Sequence, residues 1–589
     1  MPAPQELHAG ARLLRKDLTE FCLWAPNARQ VEVEFKSGAR HPMQAQADGW
    51  FSCQLPCGAA TAYHYRIDQE LRVPDPASRA QAGGLQGPSL VVDPTYAWRH
   101  SHWQGRPWTE TVLYELHVGA LGGFQGVQTH LQRLAELGIT AIELMPINAF
   151  PGTRNWGYDG SLPFAPQSSY GTPEQLKALI DCAHGLGLQV FLDVVYNHFG
   201  PEGNYLGQYA SGFFRQDQHT PWGQAIDFRR SQVRNFFIDN ALMWLFEYRF
   251  DGLRLDAVHA ISESYFLIEL AAQVRARTEP GRHIHLVLEN EHNAANLLSN
   301  GYTAQWNDDG HNVLHVLLTG EHHAYYQDFA QQPTEKLARC LAQGFIYQGQ
   351  ANRHGQARGE PSAHLPPSAF VLFLQNHDQI GNRALGERLI ELCHPEALRA
   401  ATALLLLSPM VPLLFMGEEW GCRQPFQFFT DFHDELAEAV SSGRRNEFAD
   451  FPQFSDPASR DRIPDPNALD TFTHSVPRLE VGPDDEQRDW LAYYQTLLSL
   501  RHAELTARLP GTQALACKVL GEAAVRARWR LGDETLLTLW LNLADQALPV
   551  KPGRPLGRLL FESRAALAPQ LAKGSLPARS ALFYLEDPA

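Results

Sequence analysis

Asp193, Asp256, Glu289 and Asp378 lie at or just beyond the ends of short apolar runs, in Asp193-Val-Val-Tyr-Asn-His198, Gly252-Leu-Arg-Leu-Asp256, Leu286-Val-Leu-Glu289 and Phe373-Leu-Gln-Asn-His-Asp378. Cleaving a glycosidic bond with retention needs one carboxylate to attack the anomeric carbon and one carboxylic acid to protonate the departing oxygen, the two about 5–5.5 Å apart. Asp256 suits the nucleophile, because the guanidinium of Arg254, two residues earlier, would keep it ionised and oriented. Glu289 suits the acid/base: its side chain reaches further, and apolar neighbours or the negative nucleophile would let it hold a proton near neutral pH. Asp378 is the third acid, placed to bind sugar hydroxyls and favour an oxocarbenium-like ring. His198, His259 and His377 cluster among these acids, whereas Glu143 reads as a structural acid.

Runs this short and this rich in Val, Leu, Ile and Phe read as strands buried on both faces. Carboxylates that recur where such strands meet loops point to a (β/α)8 TIM barrel, whose strand C-terminal ends carry the chemistry. Strands are expected at Val112–Val118, Ala141–Pro146, Leu188–Asp193, up to Asp256, and at Leu286–Glu289, Ala304–Asn307, Ala369–Leu374 and Leu413–Met416. Between Gly126 and Gly138, Val127, Leu131, Leu134 and Leu137 share one helical face, and Thr172-Pro173-Glu174 supplies an N-cap, a first-turn proline and early negative charge. Ser231 is expected to cap the helix before the fourth strand.

Before the barrel, alternating stretches such as Val31–Phe35 and Ala62–Ile67 predict an N-terminal β-sandwich. The stretch 96–109, with Trp98, Trp103 and Trp108, is too apolar for a free linker and should pack on the barrel. After about residue 510, Ala524–Trp529, Leu536–Leu541 and Ala581–Leu585 suggest a small C-terminal β-domain. The expected domains are 1–95, 96–505 and 506–589.

A chain of 589 residues with a net charge of −16 has no basic run with which to bind nucleic acid or an anionic membrane. The start lacks the pattern of a signal peptide, and the apolar segment Ala403–Met416 is too short to span a membrane and is broken by Pro409 and Pro412. Eight scattered cysteines fit reduced thiols in a cytoplasmic protein. No cofactor or structural metal is expected, calcium is left unassigned, and the chain is expected to act as a monomer.

The four acidic segments resemble, in order, the signature regions of the α-amylase superfamily of glycoside hydrolases, over roughly residues 110–500. That resemblance implies Asp256 as nucleophile, Glu289 as acid/base and Asp378 as transition-state stabiliser, with Asp193, His198, Arg254, His259 and His377 around the sugar. It also implies Tyr158, in Trp156-Gly-Tyr-Asp159, as a stacking aromatic. An N-terminal sandwich followed by Tyr114-Glu-Leu-His-Val-Gly119 is similar to the branch holding branching enzymes, isoamylases and trehalohydrolases.

Within that branch, Gln305–Asp309 with Leu317–Glu321, Gln375–Arg383, and Leu414–Gly421 followed by Pro425–Asp431 resemble the maltooligosyltrehalose trehalohydrolase family. The implied substrate is a maltooligosyl trehalose, cut at the α-1,4 bond next to its trehalose end. Asp308, Asp309 and His311 would bind the non-reducing disaccharide, whereas a linear glucan would leave those polar groups unpaired, and Arg383 is expected as a further substrate contact. The chain departs from the pattern at Asn290-Glu291, where a Ser-Asp pair is usual, and at Gly310 and Asn312, where Phe and His are expected. The alternatives are a branching enzyme, which passes the glycosyl unit to another glucan, a debranching enzyme of isoamylase type, an accessory subunit, and a non-catalytic glucan-binding protein.

Overall fold

The computed structural model describes residues 8–449, 451–478, 485–553 and 555–588. Eight parallel strands close into a barrel: β1 (Leu113–Leu116), β2 (Ala141–Leu144), β3 (Gln189–Val194), β4 (Gly252–Leu255), β5 (His285–Leu288), β6 (Ala304–Trp306), β7 (Phe370–Phe373) and β8 (Val411–Phe415). Every residue of these strands is buried, as continuous apolar runs require when helices cover one face and the barrel interior the other. The last strand begins two residues earlier than the sequence suggests, with Pro412 inside it.

Helices pack outside the strands as their periodicity predicts. Gly123–Leu137 buries Val127, Leu131, Leu134 and Leu137, and Gly138 ends it in the left-handed conformation at φ +104°. Pro173–Gly185 begins with a complete capping box, Thr172 accepting from the Gln175 backbone and Gln175 accepting from the Thr172 backbone. Ser231, by contrast, is the first helical residue of Ser231–Leu242; Arg230 takes the cap position, and the Ser231 hydroxyl turns to Gln232.

Trp108 closes the lower end of the barrel. Its ring packs on Phe191 and His285, and its indole N–H donates to the Ser368 carbonyl at 2.6 Å. Also at the lower end, Asp251 accepts from Trp103 Nε1 at 2.8 Å, the Val190 N–H at 2.8 Å and Arg282 at 2.6 Å, and pairs with His184 at 3.0 Å. The 96–109 segment is therefore packed structure, as its tryptophans require.

Before it, two antiparallel sheets form the sandwich around Phe21, Leu23, Val33, Phe51, Tyr63 and Tyr65. After the barrel, Gln513–Gly521, Ala524–Arg530, Leu536–Asn542, Ser580–Glu586 and Arg558–Glu562 make a five-stranded antiparallel sheet in that order. It is tied to the helix Pro333–Gln343 by Trp529 Nε1, which donates to the Leu341 carbonyl. Among the described residues, no helix is long and apolar enough to cross a membrane.

Candidate active site

β3 and β4 lie side by side with Asp193 opposite Arg254, so both side chains project into the barrel. Arg254 is fully buried, and its Nη1 donates at 2.7 Å both to Asp193 Oδ2 and to Asp256 Oδ1. The Trp306 ring supports the guanidinium from 4.2 Å. Two carboxylates and an aromatic face thus fix one cation, and that cation aims Asp256 upward, where its side chain retains 14% exposure.

Immediately after Asp256 the chain turns through Ala257 at φ +41°, uncommon for a residue with a Cβ. This turn points the Ala257 N–H at Glu289 Oε2, 2.5 Å away. Glu289 stands one strand over, 4.0 Å from Arg254 Nη2, with 16% of its side chain exposed. Burial pushes its pKa well above the usual carboxylate range; Arg254 opposes the shift, and Asp256, Asp308 and Asp378 reinforce it. Glu289 could therefore hold a proton beside an ion-paired carboxylate.

Asp378 lies in the first turn of His377–Gly381, capped by Asn376, and is the most open of the three acids at 41%. His377, fully buried, lies between two carboxylates. Glu115 of β1 accepts from its Nδ1 at 2.6 Å and from its backbone N–H at 3.0 Å, and Asp378 Oδ2 is 3.5 Å from its Nε2. Burial alone would lower the His377 pKa, but Asp378 and Glu115 outweigh it and leave it at about 9. Tyr158 stacks on the His377 ring at 5.1 Å and donates its hydroxyl to Asp193 at 2.6 Å. His198 approaches the Tyr158 carbonyl at 3.1 Å through Nε2, and the ring of Trp222, 49% exposed, stacks on it at 5.6 Å. His259 borders the opening, its Nδ1 accepting from the Glu291 N–H.

The predicted residues do not all reach the opening. Asp308 does, retaining some accessibility although protein surrounds most of it, and burial pushes its pKa up to about 7. Asp309 turns the other way and is wholly buried, accepting from Asn293, Arg358 and the Ile346 and Tyr347 backbone N–H groups. His311 is buried against Phe373 and His315. Arg383 donates to both oxygens of Glu321 and to Glu387, which spends its guanidinium within the protein. Asp193 and Arg254 lie beneath the opening and act on it through Tyr158 and Asp256.

Three contributors went unassigned from sequence. Glu115 sits in Tyr114–Gly119, a run that reads as a strand and carries a family resemblance but gives this acid no role of its own. Trp306 looks like ordinary core. Trp222, an isolated aromatic in the turn of the hairpin Phe214–Thr220/Gly223–Ile226, gave the one usable signal, a large ring among polar residues. Glu143, opposite Glu115 on β2, is buried, and desolvation pushes its pKa well above the usual range, in keeping with a structural acid.

The chain matches the family described as carbohydrate-binding module 48 (isoamylase N-terminal domain) over residues 8–94, alpha amylase, catalytic domain, over 96–223, and a domain of unknown function, DUF3459, over 512–583. It is 40% identical over 538 residues to a malto-oligosyltrehalose trehalohydrolase of Deinococcus radiodurans, covering 88% of each chain. A solved structure from Salmonella typhimurium, given the provisional name alpha amylase, has 42% identity and a TM-score of 0.92 over 99% of this chain and 100% of that one. A 1,4-alpha-glucan branching enzyme of Hydrogenovibrio crunogenus matches only 41% of this chain and 38% of its own, at 34% identity. The chain belongs to the malto-oligosyltrehalose trehalohydrolase family, built on the α-amylase catalytic fold.

Proposed function

We propose that this protein hydrolyses the α-1,4-glucosidic bond next to the trehalose end of a maltooligosyl trehalose, with retention, releasing trehalose and a maltooligosaccharide. The observation that carries the chemistry is the single arginine that pairs with Asp256 at 2.7 Å while Glu289, one strand over, is kept protonated by burial. The Asp256 carboxylate attacks the anomeric carbon as Glu289 gives its proton to the departing glycosidic oxygen. Glu289, now a carboxylate, takes a proton from water, and that water breaks the glycosyl–Asp256 ester. Asp378 and His377 hold ring hydroxyls, and Tyr158 and Trp222 offer ring faces to sugars.

Asp308, near Glu289 and Asp378, is our candidate for reading the trehalose end, with His198 and His259 as further contacts. Asp309, His311 and Arg383 support that region from behind. We place the domain borders near residues 95 and 505. We place the protein in the cytoplasm as a monomer: eight thiols free of disulfides suit a reducing compartment, and one chain supplies every acid invoked.

The test is chromatography of products from maltotriosyltrehalose and, in parallel, from maltopentaose and amylose. Free trehalose plus maltotriose, with little cleavage of the linear glucans, is the expected result. New α-1,6 branches in amylose would reassign the protein as a branching enzyme, and equal cleavage of linear glucans as an ordinary amylase.

A further inference from the structure

The His377 imidazole is held at both ends by carboxylates that come from opposite directions. Glu115 is fully buried on β1 and uses both oxygens on this one residue, Oε1 on Nδ1 at 2.6 Å and Oε2 on the backbone N–H at 3.0 Å. A carboxylate accepts and cannot donate, so the Nδ1 position must carry a proton. At the other end Nε2 lies 3.5 Å from Asp378 Oδ2. A bare Nε2 would set a lone pair against that carboxylate, whereas Nε2–H would be attracted to it and could bridge to a sugar hydroxyl. The ring cannot turn away, because Tyr158 stacks on one face at 5.1 Å and Trp156 meets it edge-on at 5.5 Å.

We propose that Glu115 is a positioning residue for the hydrolysis, which holds His377 doubly protonated so that its Nε2–H donates to the sugar hydroxyl gripped by Asp378. The inference rests on the glycosidase reading for its sugar but not for its protonation state. Other groups that face His377 are His117 after β1, Glu143 from β2, Asp193 from β3, Arg254 from β4 and Tyr158 from the loop after β2. Glu143 is kept neutral by burial, Arg254 opposes the imidazolium, and Asp193 is already bonded to Arg254 and Tyr158. Glu115 is thus the one carboxylate that bonds the ring directly from below. Its carboxylate is matched to an imidazolium, as burial of both demands.

The experiment uses the full chain with histidines labelled at 13Cε1, the His377 resonance being assigned by its loss in His377→Asn. In the wild type the ring should stay doubly protonated through pH 8, and in Glu115→Gln it should become neutral below pH 8. The ratio of Glu115→Gln to wild-type rates with maltotriosyltrehalose should fall about tenfold between pH 5.5 and pH 8, where about one ring in ten would keep its second proton. Glu115→Asp, which keeps the charge, should restore much of the loss at pH 8, and Glu115→Gln should cost nothing further in the His377→Asn background. A neutral His377 in the wild type at pH 8, or a Glu115→Gln loss equal at all pH values, would overturn the proposal. Should Glu115→Gln fail to fold, the wild-type and Glu115→Asp titrations still decide it. A wild type that releases no trehalose would refute the proposed function while leaving the titration to judge Glu115.

Discussion

Whether a side chain reaches the cleft is decided by one helical step between Asp308 and Asp309. They are the first residues of the helix Asp308–Thr319, and about 100° of rotation separates them. Asp308 therefore meets the cleft and Asp309 the interior, where four donors surround it. Asp308→Asn should lower kcat/KM on maltotriosyltrehalose about tenfold or more, with an unchanged melting curve. Asp309→Ala should instead destabilise the protein, by about 3–5 kcal/mol, because Arg358 would be left buried and unpaired; thermal and denaturant melts separate the two. Glu289→Gln should lower kcat about 10²–10⁴-fold, and azide should revive Glu289→Ala with an α-glycosyl azide as product, since the open acid position admits the anion to the face of the glycosyl–Asp256 ester that water would attack. Asp256 and Glu289 were legible in the sequence because each follows directly on a strand of unmistakable apolar pattern, and Asp378 because it stands five residues beyond such a strand. Arg383 was not: its partner Glu321 lies 62 residues away, and spacing alone cannot show that a guanidinium is already occupied.

The barrel strands and the helices between Gly123 and Gly185 could be read from periodicity, since a buried run and a 3.6-residue stripe each have one structural solution. The hairpin Phe214–Thr220/Gly223–Ile226 could not, because Arg215 to Thr220 is polar and its strands are held by side-chain ties. Arg215 binds Glu263 at 2.5 Å, and Ser262 donates to Gln218 at 2.8 Å, both from the loop that follows β4. Those ties set Trp222 over His198. Trp222→Ala should raise KM about tenfold with little change in kcat, the scale expected of one aromatic platform. Arg215→Ala should reproduce part of that rise although it removes no ring from the cleft. Equal KM values for wild type and both variants would show that the hairpin takes no part in binding.

Across the whole molecule, chemistry and stability occupy opposite ends of the barrel. The acids crown the upper ends of the strands, while Asp251 gathers Trp103, His184, Arg282 and the Val190 backbone at the lower end. Those bonds outweigh burial and hold the Asp251 pKa far below its ordinary 3.8. A depressed carboxylate contributes stability above its unfolded pKa and loses it as pH falls, so the gap in melting temperature between wild type and Asp251→Asn should be full at pH 7 and shrink below pH 3.8. Glu143, raised by burial, has the opposite sign: Glu143→Gln should match wild type near pH 4.5 and become the more stable protein, by about 2 °C or more, as pH rises toward 8. The three-part layout could be read from the changes of pattern along the chain, and so could the packing of 96–109 on the barrel; that this connecting segment supplies the barrel floor through Trp108 could not. Trp108 therefore makes the two ends of that connection unequal. A recombination event, natural or engineered, that exchanged the N-terminal module at residue 110 would inherit a catalytic unit without its base, whereas a crossover before Tyr96 would carry the stopper along with the vessel. The exchangeable unit of this enzyme is thus longer than its barrel.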